Sequence, residues 1–289
     1  MSITVGADPE FFLYNKRRYR AEPCIGRIAG TKEAVFDLGD GFGAHEDNVT
    51  IELTVPPASD PITFAMNIEK GKKLITDRFL TDGERLMCRG SSEFLDSELQ
   101  HPQAQRFGCD PDYNAYSNGR MRRTPKRVLN SNIRYAGGHV HIGGNFNCPP
   151  FVAALFADVV ISLPDYLPTK TGQAPSEASN SNKLRRHWYG RPGVFRPKEY
   201  GIEYRTPSNY WCNDRGVMEQ MGYRAFALGT WLEDNPASTI RKALLGIDWI
   251  AVRRVLSDGS TTLFSEKPSI RKQAEIVYAE AMQAMGLAA

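Results

Sequence analysis

Along the first 60 residues, apolar and polar positions alternate in short runs broken by glycine and proline, the period-two pattern of strands. The runs are ITVGADPEFFLY, AVFDLGDGFGA around a glycine-rich turn, and NVTIELTVPPA, which paired prolines stop. In the third run Val49, Ile51, Leu53 and Val55 point one way and Thr50, Glu52 and Thr54 the other. From Pro61 to Leu80 the period changes: Ile62, Ala65, Met66, Ile68, Leu74 and Ile75 recur at helical spacing and predict a helix. Residues 84 to 136 are polar and rich in turn formers, with one strand expected near Glu84 to Cys88.

Residues 137 to 144 read GGHVHIGG, a short extended segment in which His139 and His141 face one side and Val140 and Ile142 the other. Its glycines leave room for a ligand to approach the backbone. The following PPFVAALFADVVISLPDYL is apolar nearly all round and predicts a buried helix packed behind the sheet. Residues 169–200 are rich in Gly, Ser, Asn, Pro and Arg, a length and composition that suit a functional lid better than a plain link. GIEYRTPSNYW then places Glu203 and Arg205 on one side of a strand and Ile202, Tyr204 and Thr206 on the other. From about residue 214 the pattern is helical to the end. With no internal repeat, the simplest division is one α+β domain over residues 1–289 with a helical C-terminal portion.

Composition agrees with a packed core: 289 residues are 41% hydrophobic and 24% charged. The net charge of +3 is too weak to predict a nucleic-acid partner without clustering. Arg120, Arg122, Arg123, Lys126, Arg127 and Arg134 do cluster, and read as a solvated basic loop in preference to a polyanion site. Five scattered cysteines without a CxxC pair fit a reducing compartment. No segment is a basic leader with an apolar stretch, nor the run of about 20 apolar residues that spans a membrane. The expectation is a cytoplasmic protein with no membrane partner.

Chemistry-bearing groups recur on alternate strand positions: Asp8 and Glu10, Glu52, His139 and His141, then Glu203. Each alone is compatible with a solvated or ion-paired strand residue. Together they offer oxygen donors with one or two imidazoles, which suits Mg2+ or Mn2+ better than a closed structural zinc site. Arg205 beside such a set fits phosphoryl transfer, in which metals bridge phosphates and a guanidinium neutralises charge. Neither a Walker A loop nor GxGxxG is present, so nucleotide binding would rest on metals and side chains.

The ordered set GADPEFF, DNVTIELTVPP, GGHVHIGG and YGIEYRTPSNYW, spanning Gly6 to Trp211, resembles the glutamine synthetase and gamma-glutamylcysteine synthetase superfamily. The resemblance is closest to its phage-type carboxylate-amine (COOH-NH2) ligases. It implies an antiparallel sheet curved around a funnel, helices packed outside it, and two or three divalent ions held by strand carboxylates. Asp8 and Glu10 take the place of the first acid-x-acid pair, with Asp where a longer acid is usual and Pro9 between them. Glu52, His139 and Glu203 match metal ligands, His141 a position near the nucleotide phosphates, and Arg205 the phosphoryl-transfer arginine. A further acidic ligand lies among His45, Glu46 and Asp47, with Asp47 preferred.

The reaction so implied is ATP-dependent activation of a small-molecule or peptide carboxylate to an acyl phosphate. Attack by an amine then forms an amide or isopeptide bond and releases ADP and phosphate. Arg205 and Arg196 would steady developing charge, and the loop carrying Arg185, Arg186, Tyr189, Arg191 and Arg196 would close over the site. Asp110 and Asp112 read as turn residues in preference to groups that hold or deprotonate the amine, and Trp188 with Tyr189 as packing in preference to a stack on adenine. A metal hydrolase or oxygenase using the HxH pair remains an alternative, but leaves Arg205 and the surplus acids unexplained. A guanidino-type phosphotransferase on the same kind of sheet is another.

Overall fold

A computed structural model of the chain describes residues 2–105, 112–122, 131–167, 185, 186, 188–259 and 268–287. Asp110, Cys109, the basic residues between 123 and 127, and the greater part of the expected lid lie outside the described residues. Five strands open the chain: β1 (Thr4–Asn15), β2 (Arg20–Glu22), β3 (Phe36–Gly39), β4 (Phe42–Asp47) and β5 (Thr50–Thr54). Helix α1 (Pro61–Phe79) precedes β6 (Glu84–Met87), β7 (Ser91–Glu93), the short α2 (Pro102–Gln105), β8 (Asp112–Asn114) and β9 (Arg120–Arg122). Then come β10 (Ile133–Tyr135), β11 (Gly138–Gly143), α3 (Pro150–Ala157), β12 (Val194–Lys198) and β13 (Gly201–Tyr204). Four helices follow: α4 (Arg215–Asp234), α5 (Ala237–Gly246), α6 (Trp249–Gly259) and α7 (Pro268–Ala284).

Among the described residues eleven strands form one antiparallel sheet in the order β3-β4-β5-β1-β11-β13-β12-β8-β9, with β2 and β6 also paired to β1. Its ends there, β3 and β9, are not joined, so the sheet of described strands is open. Strand β1 is the spine. Residues Thr4–Pro9 pair with β11, Glu10 and Phe11 with β5, and Phe12–Asn15 with β6. The β3–β4 hairpin turns through Asp40 and Gly41, both at positive φ, which matches the glycine-rich turn read in the sequence.

One face of the sheet is apolar and covered by helices. Val5, Phe11, Ile51, Leu53, Val140, Ile142, Ile202 and Tyr204 form a single core with α1, α3 and the C-terminal helices. Helix α1 starts where expected, capped by Asp60, whose carboxylate accepts from the Ile62 and Thr63 N–H groups. Its buried stripe is Phe64, Ala65, Ile68, Gly71 and Ile75, however, while Ile62 and Met66 are exposed. The stripe centres on Gly71 because a Cβ there would come within 2.7 Å of the Leu53 methyls, a close approach that counting apolar residues does not register. Helix α3 is buried behind β12 and β13, and continues through a π-turn, Asp158–Ser162, instead of as regular helix. Phe156 meets the rings of Trp231 and Trp249, tying α3 to the C-terminal helices.

A second, smaller cluster, Phe12, Ala21, Val49, Phe94, Leu99, Ala104 and Ala136, is separate from the main core. Val49 was expected to share a face with Ile51, Leu53 and Val55. It joins this cluster because the left-handed Asn48 breaks the alternation just before β5 begins. Among the described residues no helix is long and apolar enough to cross a membrane.

Strand β11 sits close to the segment after β13. The Trp211 indole N–H donates to the Gly138 carbonyl at 3.1 Å, and Trp211 stacks on Phe64 at 5.7 Å. A Cβ at Gly138 would lie 2.5 Å from the Ser208 carbonyl oxygen and 2.7 Å from the Asn209 Cα, both backbone atoms. Gly138→Ala is therefore expected to destabilise the fold by about 1–3 kcal/mol or more, read by chemical denaturation. A loss below about 0.5 kcal/mol would show that this backbone approach is not tight.

Candidate active site on the polar face of the sheet

Register places the expected groups side by side. In an antiparallel pair, directly opposed residues project to the same face. Asp8 opposes His139, Glu10 opposes Glu52, which in turn opposes His45, and His141 opposes Glu203, which opposes Arg196. Side chains from residues as far apart as 8 and 203 thus share the face opposite the helices.

They fall into two groups, in each of which the donor atoms lie within 4.8 Å of one another: Asp8, His141 and Glu203, and Glu10, Asp47 and Glu52. The groups are neighbours, since Asp8 and Glu10 are alternate residues of β1, about 7 Å apart along the strand. Asp47, the preferred acid of the three considered, belongs to the second group. Glu46 accepts the backbone N–H groups of Arg27 and Ile28 instead. His141, expected near phosphates, belongs to the first group, with Nε2 3.2 Å from Asp8 Oδ2 and Nδ1 against the Tyr200 hydroxyl. His139, expected as a ligand, borders the same group, its Nδ1 3.0 Å from Asp8 Oδ1 and 3.8 Å from Glu203 Oε1.

The surroundings differ in charge. Glu203 is buried and receives Arg205, Arg196 at 3.4 Å and Lys198 at 2.8 Å. Burial pushes its carboxyl up, but Arg205 above all outweighs this and holds it down at about 2. Burial likewise opposes ionisation of Asp8, yet the charges of His141 and His139 keep it well below the carboxylate range. His141 is the counterpart: burial lowers its pKa, and Asp8 outweighs that and raises it.

The second group is poorly compensated. Burial, then the charges of Asp8, Glu10 and Asp47, raise Glu52 well above its usual range. Burial and Asp47 raise Glu10, although His139, the Gly137 N–H and Arg185 oppose the rise. Lys32 reaches Asp47 at 2.7 Å from the exposed side. A cluster of desolvated carboxylates in this state is a site that a divalent cation would relieve.

Four residues extend the site. Asp112, assigned to turn chemistry by sequence, lies on β8 with Oδ1 3.0 Å from Arg205 Nε, so Arg205 is held between Asp112 and Glu203. Lys198 and Tyr200 were not singled out. The alternation of Arg196 with Lys198 on β12 was the available signal for the first, whereas Tyr200 reaches His141 only through the β12–β13 turn. Arg185, from the expected lid, is buried and donates to the Thr206 and Arg205 carbonyls at 2.9 and 3.3 Å. A cavity lined by Glu10, Asp47, Asp112, His139, Arg185 and Arg205 opens beside the two groups.

No protein-family model matches the chain, and no curated protein matches it. Among solved structures it is similar to a bifunctional glutathione synthetase from Pasteurella multocida, at 10% sequence identity and a TM-score of 0.35. The similarity covers 99% of this chain and 51% of the other, so the chain spans about half the length of that structure.

The charge pattern sets a pH dependence. Glu10 and Glu52 bind protons more tightly folded than unfolded, so the stability they contribute is full below their ordinary value of 4.5 and is lost as pH rises through their raised folded values. Asp8 and Glu203 act oppositely, and their contribution is lost only as pH falls through their lowered values. Mg2+ or Mn2+ at the second group should therefore raise Tm more at pH 8 than at pH 5. Equal shifts at the two pH values, or none at either, would show that these carboxylates do not hold the ion.

Proposed function

We propose that the protein is an ATP-dependent, ADP-forming carboxylate-amine ligase, joining a small-molecule or peptide carboxylate to an amine through an acyl phosphate on a glutamine synthetase-like sheet. The observation that carries this reading is positional. The four segments that resemble the superfamily lie on β1, the β4–β5 pair, β11 and β13, and the strands run β5-β1-β11-β13 as direct neighbours. Their acids, imidazoles and Arg205 share one face.

The donor sets suit Mg2+ or Mn2+, being carboxylate oxygens with imidazole nitrogen. Asp8 and Glu203, bordered by both imidazoles, would hold one ion, and Glu10, Asp47 and Glu52 another. Such ions supply neutralisation of the polyphosphate and of the charge that develops on transfer. Arg196, Lys198 and Arg205 converge on Glu203 and bring positive charge to the phosphoryl group being transferred. Arg205 is fixed for this by Asp112 on its Nε. Burial of Glu10, His139, Glu203 and Arg205 keeps water from an acyl phosphate.

Incubation with Mg2+, ATP and paired carboxylate and amine substrates should release ADP only when both are supplied. Glu203→Gln and Arg205→Ala should each lower turnover about a hundredfold or more while a cooperative thermal transition remains. ATP-independent turnover, or full activity in both variants, would sink the ligase reading. Transfer to a guanidino acceptor alone would instead indicate a phosphotransferase.

A further inference from the structure

His45 takes no part in the reaction as proposed. It lies on β4 directly opposite Glu52, which lies opposite Glu10, so three donor-bearing side chains rise in one row on the polar face. The residue is 4% exposed, and among the described residues neither ring nitrogen has a hydrogen-bond partner. A buried imidazole in a folded protein ordinarily has at least one bonded nitrogen, because leaving both bare forfeits the hydration each had in water. Here Nε2 lies 3.7 Å from Oε1 of Glu52, one of the three carboxylates of the second group. With Nδ1 also unbonded, the fold does not impose a tautomer, and the ring can present its lone pair at Nε2.

We infer that His45 is a nitrogen ligand at the Glu10, Asp47 and Glu52 group, giving that position a preference for a transition-metal ion, Mn2+, over Mg2+. The inference rests on the reading that those three carboxylates hold a divalent cation. Mg2+ keeps water and oxygen ligands and gains little from imidazole, whereas first-row transition ions accept it. The Glu203 group already carries three cationic side chains. The second group meets Lys32 at its exposed edge, and the His45 ring lies beside Glu52.

Titration of the full chain with Mn2+ and with Mg2+ should show Mn2+ binding about tenfold more tightly or better. Pulsed EPR of bound Mn2+ should show 14N coupling in a background carrying both His139→Gln and His141→Gln, which removes the two imidazoles that border the first group. Adding His45→Gln should abolish that coupling, and His45→Gln or His45→Asn alone should weaken Mn2+ about tenfold while changing Mg2+ affinity less than about threefold. The inference is overturned if the coupling persists once His45 is replaced in that background, or if the wild-type chain shows no Mn2+ preference. It is also overturned if His45 variants bind Mn2+ normally while Glu52→Gln does not, an outcome that leaves the cation site standing. Mn2+ affinity insensitive to both Glu10→Gln and Glu52→Gln would instead remove the cation site itself.

Discussion

Carboxylates gathered on one buried face repel one another and lose hydration, and the organisation of this protein follows from how that cost is met. Around Asp8 and Glu203 it is met by the chain itself, with two imidazoles, two guanidinium groups and an ammonium. Around Glu10, Asp47 and Glu52 the protein supplies much less: one lysine at the edge, and a backbone N–H from Gly137 to Glu10 at 2.8 Å. Asp8 and Glu203 are consequently shifted down, and Glu10 and Glu52 up. One group is a cluster of opposite charges that the chain itself supplies, and the other is a negative hollow with little compensation.

Such a site needs rigid support, which comes from the opposite face. Glu203 and Arg205 point to the site, and the alternate residues Tyr204 and Thr206 point back to the buried Asp158 in the π-turn after α3. Tyr116 bonds the other oxygen of Asp158 at 2.9 Å, joining the turn that follows β8 to the same anchor. Burial raises the Asp158 carboxyl to about 6 although these hydroxyls stabilise its anion. Strand β8, which bears Asp112, and the segment after β13, which bears Arg205, thus share a hydrogen-bonded base beneath the sheet. At the other end, Asn209 donates to the Glu10 carbonyl, and Trp211 to that of Gly138. These bonds hold β1 and β11 in the register that opposes Asp8 to His139.

Much of this was legible in the chain because strand alternation is a local property. His139 with His141, Glu203 with Arg205, and Glu52 opposite Ile51 and Leu53 could be assigned to faces from neighbouring residues alone. The short β8 could not, since three residues carry too little pattern to separate a strand from a turn, and Asp112 was therefore missed as a partner of Arg205. Val49 was misplaced by a single left-handed residue, and the buried stripe of α1 by a glycine whose value lies in the space it leaves for Leu53.

By itself the sequence determined the mixed α+β character, the strands that carry the acids and imidazoles, and which side of each strand those groups occupy. Period and residue type are written along the chain, so no distant contact is needed to read them. Only the tertiary structure decided how the groups divide: His141 with Asp8 and Glu203, Asp47 with Glu10 and Glu52, and His45 beside Glu52 with no hydrogen bond to either ring nitrogen among the described residues. Strand order and register bring residues 8, 52, 139 and 203 together across long separations. The charge that each carboxylate feels is set by those neighbours in space, not by its neighbours in sequence.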